Sequence, residues 1–346
     1  MFEKGVNPVK IIPTEDWFAG TVSVEQREEG VKPWRIPHTE YELFPPNGID
    51  GQAGICAGVR LQFRTNSPTI KLRFLPVELD LRIDCVINGE LHGTIDLPEG
   101  TDAAEWANLP GGGKNIEIWL PQRGHMTITG LELEEGKTAS PQTQDARPNW
   151  VTYGSSITVC GSATSPTQTW PAIAAKELDL NLTCLGFSGN CALEPMVARM
   201  IRDLPADLIT LCVGINVHGA NTLSARTFLP AVIGLVQTIR ERHPVTPIIL
   251  VSPIFATDRE TKPNLLGMTV EDYRNQVAEA ADILQRHGDC YLTYRDGRDW
   301  FGVADVGHLP DGLHPDAEGY KLMGARFAER VLGDVPIAAR NRQTTV

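Results

Sequence analysis

Apolar and polar residues alternate with period two through most of the first 135 residues, as in strands that bury one face. Val59, Leu61 and Phe63 alternate with Arg60, Gln62 and Arg64, and Ile70, Leu72 and Phe74 with Lys71 and Arg73. Leu81, Ile83, Cys85 and Ile87 lead into Asn88-Gly89, a pair at ease with positive φ that marks a two-residue hairpin, and the pattern resumes over 91–97. Ile116, Ile118 and Leu120, then Met126, Ile128, Leu131 and Leu133, add two more strands. Short strands, Gly and Pro turns and the lack of a helical period predict an all-β sandwich, jelly-roll-like, over 1–135.

Residues 136–149 are rich in Gly, Lys, Thr, Ser, Pro, Gln and Asp without apolar period, which predicts a linker. From Trp150 the rhythm becomes strand then helix, five times over. Strands are expected near 150–153, 181–185, 207–213, 247–251 and 290–294, and helices near 167–178, 193–202, 224–243, 270–287 and 316–331. Helical crossovers of that length require a parallel sheet covered on both faces, so 150–335 is expected to be a doubly wound, flavodoxin-like α/β domain of five strands. Such a sheet opens its site at the carboxyl ends of its strands. Residues 336–346 are expected to form a polar tail.

Composition narrows the function. The chain has 346 residues, 42% hydrophobic and 21% charged, enough for two packed cores. Lys plus Arg number 31 against 43 Asp plus Glu, and the net charge of -12 leaves no basic stripe for nucleic acid. The start, Met1 to Val6, lacks the basic and apolar regions of a signal peptide, and no stretch reaches the ~18 apolar residues of a membrane span, so no membrane partner is expected. Seven cysteines, mostly in apolar runs, fit buried thiols in a reducing compartment, and the expected location is cytoplasmic. No CxxC pair is present, and His308 and His314, six residues apart on a loop, fit no common metal site; neither metal nor cofactor is expected.

Four predicted loops at one sheet edge carry chemistry. After the first α/β strand stands Gly154-Ser155-Ser156-Ile157-Thr158, with a hydroxyl where a substrate would approach; after the second, Gly186-Phe187-Ser188-Gly189-Asn190, where Gly189 offers a bare backbone N-H. Asn216 follows the third strand, and Asp311-Gly312-Leu313-His314 precedes the last helix, with a carboxylate placed to fix an imidazole tautomer. Each alone reads equally as a turn, a cap or a solvated histidine; together they supply the separate parts of one acyl-transfer reaction.

On these residues the α/β half resembles the SGNH (GDSL-type) hydrolase superfamily, whose four blocks match in order over roughly 150–332. The resemblance implies Ser156 as nucleophile, Asp311 and His314 as its triad partners, and Ser156, Gly189 and Asn216 as oxyanion donors. Two positions depart from the pattern: Ser155 and Val217 stand where the family has Asp. The N-terminal half is similar to the β-sandwich domains of two-domain carbohydrate acetyl esterases and of the salicylyl-acyltransferase-like (SsfX3-like) group, through 63–67, 116–121 and the 154–158 variant.

The expectation is a serine esterase acting on an O-acylated small molecule or carbohydrate through an acyl-serine. An acyltransferase using the same intermediate is the first alternative, and a non-catalytic glycan-binding protein the second. Cys160, Cys191, His218 and Trp300 are candidate substrate contacts; packing is the preferred reading of the two cysteines, a solvated loop position that of His218, and core packing reads as well as a substrate wall for Trp300. Oligomeric state is not written in the sequence.

Overall fold

The computed structural model describes residues 8–142 and 145–337. Positions 143–144 of the expected linker, 338–346 of the expected tail and Met1 to Val6 lie outside the described residues. The chain divides into two compact units: one takes in the chain up to Tyr41, Ala53–Asp145 and Ser165–Thr167, the other Glu42–Gln52, Ala146–Thr164 and the chain from Gln168.

The first unit is all-β, built from two antiparallel sheets. One orders its strands Ser23–Gln26, Val31–Trp34, Ile128–Leu133, Ile70–Phe74 and Ala103–Trp106, with Val9–Ile11 also paired to Ile128–Leu133. The other runs Ala139–Pro141, Arg60–Thr65, Lys114–Trp119, Leu81–Ile87 and Glu90–Leu97, with Phe18–Ala19 also on Arg60–Thr65. The alternation explains the packing: Leu61, Phe63, Ile116 and Ile118 of one sheet and Ile70, Leu72, Ile128 and Leu131 of the other are all 0% exposed in one shared core. Each such burial contributes about 1.5–3 kcal/mol. Asn88 and Gly89 take φ of +50° and +88°, the paired left-handed conformations of a type I′ hairpin.

The expected linker contains a strand. Ala139–Pro141 pairs with Arg60–Thr65, secured by Thr65 Oγ1 donating to Thr138 O at 2.7 Å and Thr138 N to Asn66 Oδ1 at 3.0 Å. A strand held by backbone and polar side chains leaves no apolar period to read.

The second unit carries a five-stranded parallel sheet of Asn149–Gly154, Asn181–Gly186, Leu208–Cys212, Ile248–Val251 and Leu292–Arg295, in the order second, first, third, fourth, fifth. Ile248–Val251 is buried at every residue, so helices cover both of its faces. The main helices are Trp170–Glu177, Pro195–Asp203, Ala225–Arg240, Val270–Arg286 and Ala317–Arg326, the last continuing as a π-helical turn over Phe327–Val331. The last strand begins at Leu292 rather than near 290, because Cys290 and Tyr291 are exposed on the preceding turn. No helix among the described residues is long and apolar enough to cross a membrane.

Candidate active site

The first parallel strand ends at Gly154, and the chain turns at once into the short helix Ser156–Val159. Ser155 is its N-cap, its Oγ accepting from Ile157 N at 3.2 Å, and it is 3% exposed. Ser and Asp cap helices about equally well, which gives Ser155 a structural task at a position where Asp is usual. The turn leaves Ser156 half-buried. No hydrogen bond among the described residues takes up its backbone N-H, as expected for the first residue of a helix.

Ser156 Oγ lies 2.8 Å from His314 Nε2, and His314 Nδ1 lies 2.6 Å from Asp311 Oδ2. Asp311 Oδ1 also accepts from the backbone N-H groups of His314 at 2.6 Å and Leu313 at 2.9 Å. Partial burial by itself would raise the Asp311 pKa; the His314 backbone N-H, the imidazole and the Leu313 N-H outweigh it and hold the carboxyl at about 2. An ionised Asp311 accepts the proton at Nδ1, so Nε2 presents its lone pair to the Ser156 hydroxyl. The chain of bonds is that of a nucleophile, a base and an orienting carboxylate.

The titration follows from these bonds. Because the folded pKa is depressed, the carboxylate's contribution to stability is present above its unfolded value and is lost only as pH falls through about 2. Its side chain is 55% exposed, so solvent keeps that contribution small. A carboxyl-carbon NMR titration of Asp311 is expected to show a midpoint near 2. A midpoint near the ordinary 3.8 would show that the three hydrogen bonds are not made.

The loop bearing Asp311 and His314 is held from a second side. Thr257 Oγ1 donates to Gly312 O at 3.0 Å, and Gly312 sits at φ +75°. A Cβ on Gly312 would meet that hydroxyl at 2.6 Å, so glycine is needed for both the conformation and the contact. Thr257 belongs to a loop fixed by the buried Arg274, whose guanidinium makes two 2.9 Å bonds to Glu260. Nothing in the local sequence signals this support.

Gly189 lies in the turn that follows the second strand, and Asn216 in the short helix Ile215–Ala220 that follows the third. Gly189 is exposed at φ +74°, and no bond among the described residues occupies its N-H. Asn216 Oδ1 accepts from Cys191 N at 3.1 Å. That bond fixes the amide's orientation, so its NH2 end is the one left to donate elsewhere. Val217 is fully buried and presents no group to the site.

The remaining candidates sit further in. Cys160 and Cys191 are 0% exposed; Cys160, at φ +60°, closes the Ser156–Val159 helix, and the Cys191 thiol reaches Cys212 O at 3.7 Å. Burial pushes both thiols up, away from thiolate chemistry. Trp300 is 2% exposed, its rings pack 4.8 Å from Trp170 and Phe327, and its indole N-H donates to Met323 O; it also lines a small cavity with Ser155, Ile157 and Thr158. His218, 6% exposed, packs edge-on against Tyr273. Burial lowers its pKa. No group of three or more metal-ligating side chains occurs among the described residues.

Residues 148–332 match the family model of the GDSL-like lipase/acylhydrolase family. The chain belongs to that family. It is an enzyme of the acylhydrolase and acyltransferase kind, with the family's α/β fold following an all-β domain whose residues 17–128 match the SsfX3 N-terminal domain. Among solved structures it is similar to the salicylyl-acyltransferase SsfX3 from a tetracycline biosynthetic pathway, at 34% identity over 96% of this enzyme and 99% of that chain, with a TM-score of 0.88. Two more distant structures show the shared fold. An active-site mutant of a family two carbohydrate esterase from Clostridium thermocellum is 14% identical, over 96% and 100% of the two chains, TM-score 0.66. A family two carbohydrate esterase from Cellvibrio japonicus is 14% identical, over 94% and 98%, TM-score 0.65. No curated protein matches the enzyme's sequence.

Proposed function

We propose that the enzyme cleaves a carboxylic ester on a small molecule or carbohydrate through an acyl-Ser156 intermediate. The observation that carries this is the unbroken chain from Asp311 through His314 to Ser156, with bonds of 2.6 and 2.8 Å. His314 takes the Ser156 proton as the oxygen attacks the ester carbonyl, and Asp311 stabilises the imidazolium. The oxyanion receives hydrogen bonds from the Ser156 and Gly189 N-H groups and the Asn216 amide, each worth about 3 kcal/mol of barrier. His314 returns its proton to the leaving alcohol, and an acceptor then attacks the acyl-serine.

Exposure favours water as that acceptor. His314 is 36% exposed and Asp311 55%, so the base that must activate the second nucleophile is open to solvent. Transfer to an alcohol is the second reading, supported by the 34% identity to an acyltransferase along nearly the whole chain. The intact triad argues against a purely glycan-binding role. In the same reading the strand order 2-1-3-4-5 is flavodoxin-like and the all-β unit jelly-roll-like.

Acceptor competition tests the choice. With p-nitrophenyl acetate as donor and methanol or glucose added at up to about 1 M, against ~55 M water, a hydrolase is expected to give acetate as the main product. Acetylated alcohol in excess of acetate would overturn hydrolysis in favour of transfer.

A further inference from the structure

The N-H of Gly189 is offered to the site by a four-residue turn, Phe187 to Asn190, closed by Asn190 N donating to Phe187 O at 3.1 Å. Gly189, third in the turn, has φ +74° while Ser188 before it keeps a negative φ, which makes the turn type II. Type I differs from type II by rotation of the central peptide, here Ser188 C=O with Gly189 N-H. That rotation would swing the Gly189 donor to the opposite side. The two groups share one rigid plane, so whatever holds the Ser188 carbonyl also aims the Gly189 N-H.

Two side-chain amides hold this turn. Asn190 Nδ2 donates to Ser188 O at 2.7 Å, on the central peptide itself. Gln52 Oε1 accepts from Ser188 N at 3.1 Å, on the peptide before it. Gln52 stands 136 residues earlier, at the end of the Glu42–Gln52 segment that belongs to the same compact unit as the turn. The segment reaches it through Asn47, Gly48, Ile49 and Asp50, all left-handed, with Phe44 and Ile49 buried at 2% exposure. A β-branched residue at φ +56°, as Ile49 is, persists only where its surroundings dictate it.

Resting on the proposed acyl-serine chemistry, we infer that Gln52 and Asn190 are positioning residues that fix the type II turn and thereby aim the Gly189 N-H at the oxyanion. Neither touches the reacting atoms. Their effect is on the transition state rather than on the binding of substrate.

The experiment follows labelling of Ser156 by a fluorescent fluorophosphonate: the serine oxygen bonds to phosphorus, fluoride leaves and the proton passes to His314. The phosphoryl oxygen occupies the oxyanion position, so the rate reads the turn without knowledge of the natural ester. Gln52→Met and Asn190→Leu remove the hydrogen bonds at nearly constant size, with Ser156→Ala as the unlabelled reference and Tm recorded for each. The expected result is a maximal labelling rate about tenfold lower in each variant, the concentration for half-maximal rate changed less than about twofold, and Tm nearly unchanged. Wild-type labelling rates in both folded variants, or losses that appear only as failure to fold, would overturn the inference. A wild-type enzyme that does not label at Ser156 would instead defeat the acyl-serine reading itself.

Discussion

Ser156→Ala is expected to lower ester turnover by about 10⁴- to 10⁶-fold with the fold intact. The size follows from the arrangement: His314 Nε2, 2.8 Å from the hydroxyl, has no other nucleophile among the side chains it bonds, and the imidazole is committed to that side by Asp311 on Nδ1. Among the described residues the half-buried hydroxyl makes no other side-chain bond, so its loss leaves no second partner stranded and Tm should move little. Because serine and histidine act as one unit, the double variant Ser156→Ala/His314→Ala should be no slower than either alone. Additive losses would show that the two residues act separately. Initial rates with p-nitrophenyl acetate, beside circular dichroism of each variant, check both parts.

Asn216→Ala is expected to cost about 10²- to 10³-fold in kcat with KM little changed, because a donor to the oxyanion acts only once charge has developed. The variant also deprives Cys191 N of its acceptor, which could loosen the neighbouring loop. Asn216→Asp separates the two effects: it keeps an acceptor for Cys191 but replaces the donating NH2 with an oxygen. If donation is what matters, Asp should be at least as damaging as Ala. If support of the loop is what matters, Asp should restore most of the activity.

The parts legible in the sequence were those that repeat or lie close together. Alternation over 59–64, 70–74 and 81–87 shows which residues face the sandwich core, since a one-residue slip would turn every one of them to the other face of its sheet. Asp311 and His314 are three residues apart on one loop, and Ser156, Gly189 and Asn216 each follow a strong strand. Short strands were hidden: Val31–Trp34, between Ser23–Gln26 and Ile128–Leu133, contains a proline, and the edge strand Ala139–Pro141 carries no apolar pattern. Trp300 showed an aromatic beside a catalytic loop, but only packing against Trp170 and Phe327 shows where its ring goes. The supports of the site were invisible for a different reason. Gln52 reaches Ser188 across 136 residues, and Thr257 reaches Gly312 across 55, through side-chain bonds to backbone that no local period encodes.

The central claim is an acyl group carried on Ser156. Acid quench of the enzyme within its first turnovers of p-nitrophenyl acetate, followed by intact mass and peptide mapping, tests it most directly. One added acetyl group, confined to the peptide containing Ser156 and absent from Ser156→Ala, is the predicted result. An adduct on another residue, or the same adduct in Ser156→Ala, would contradict it.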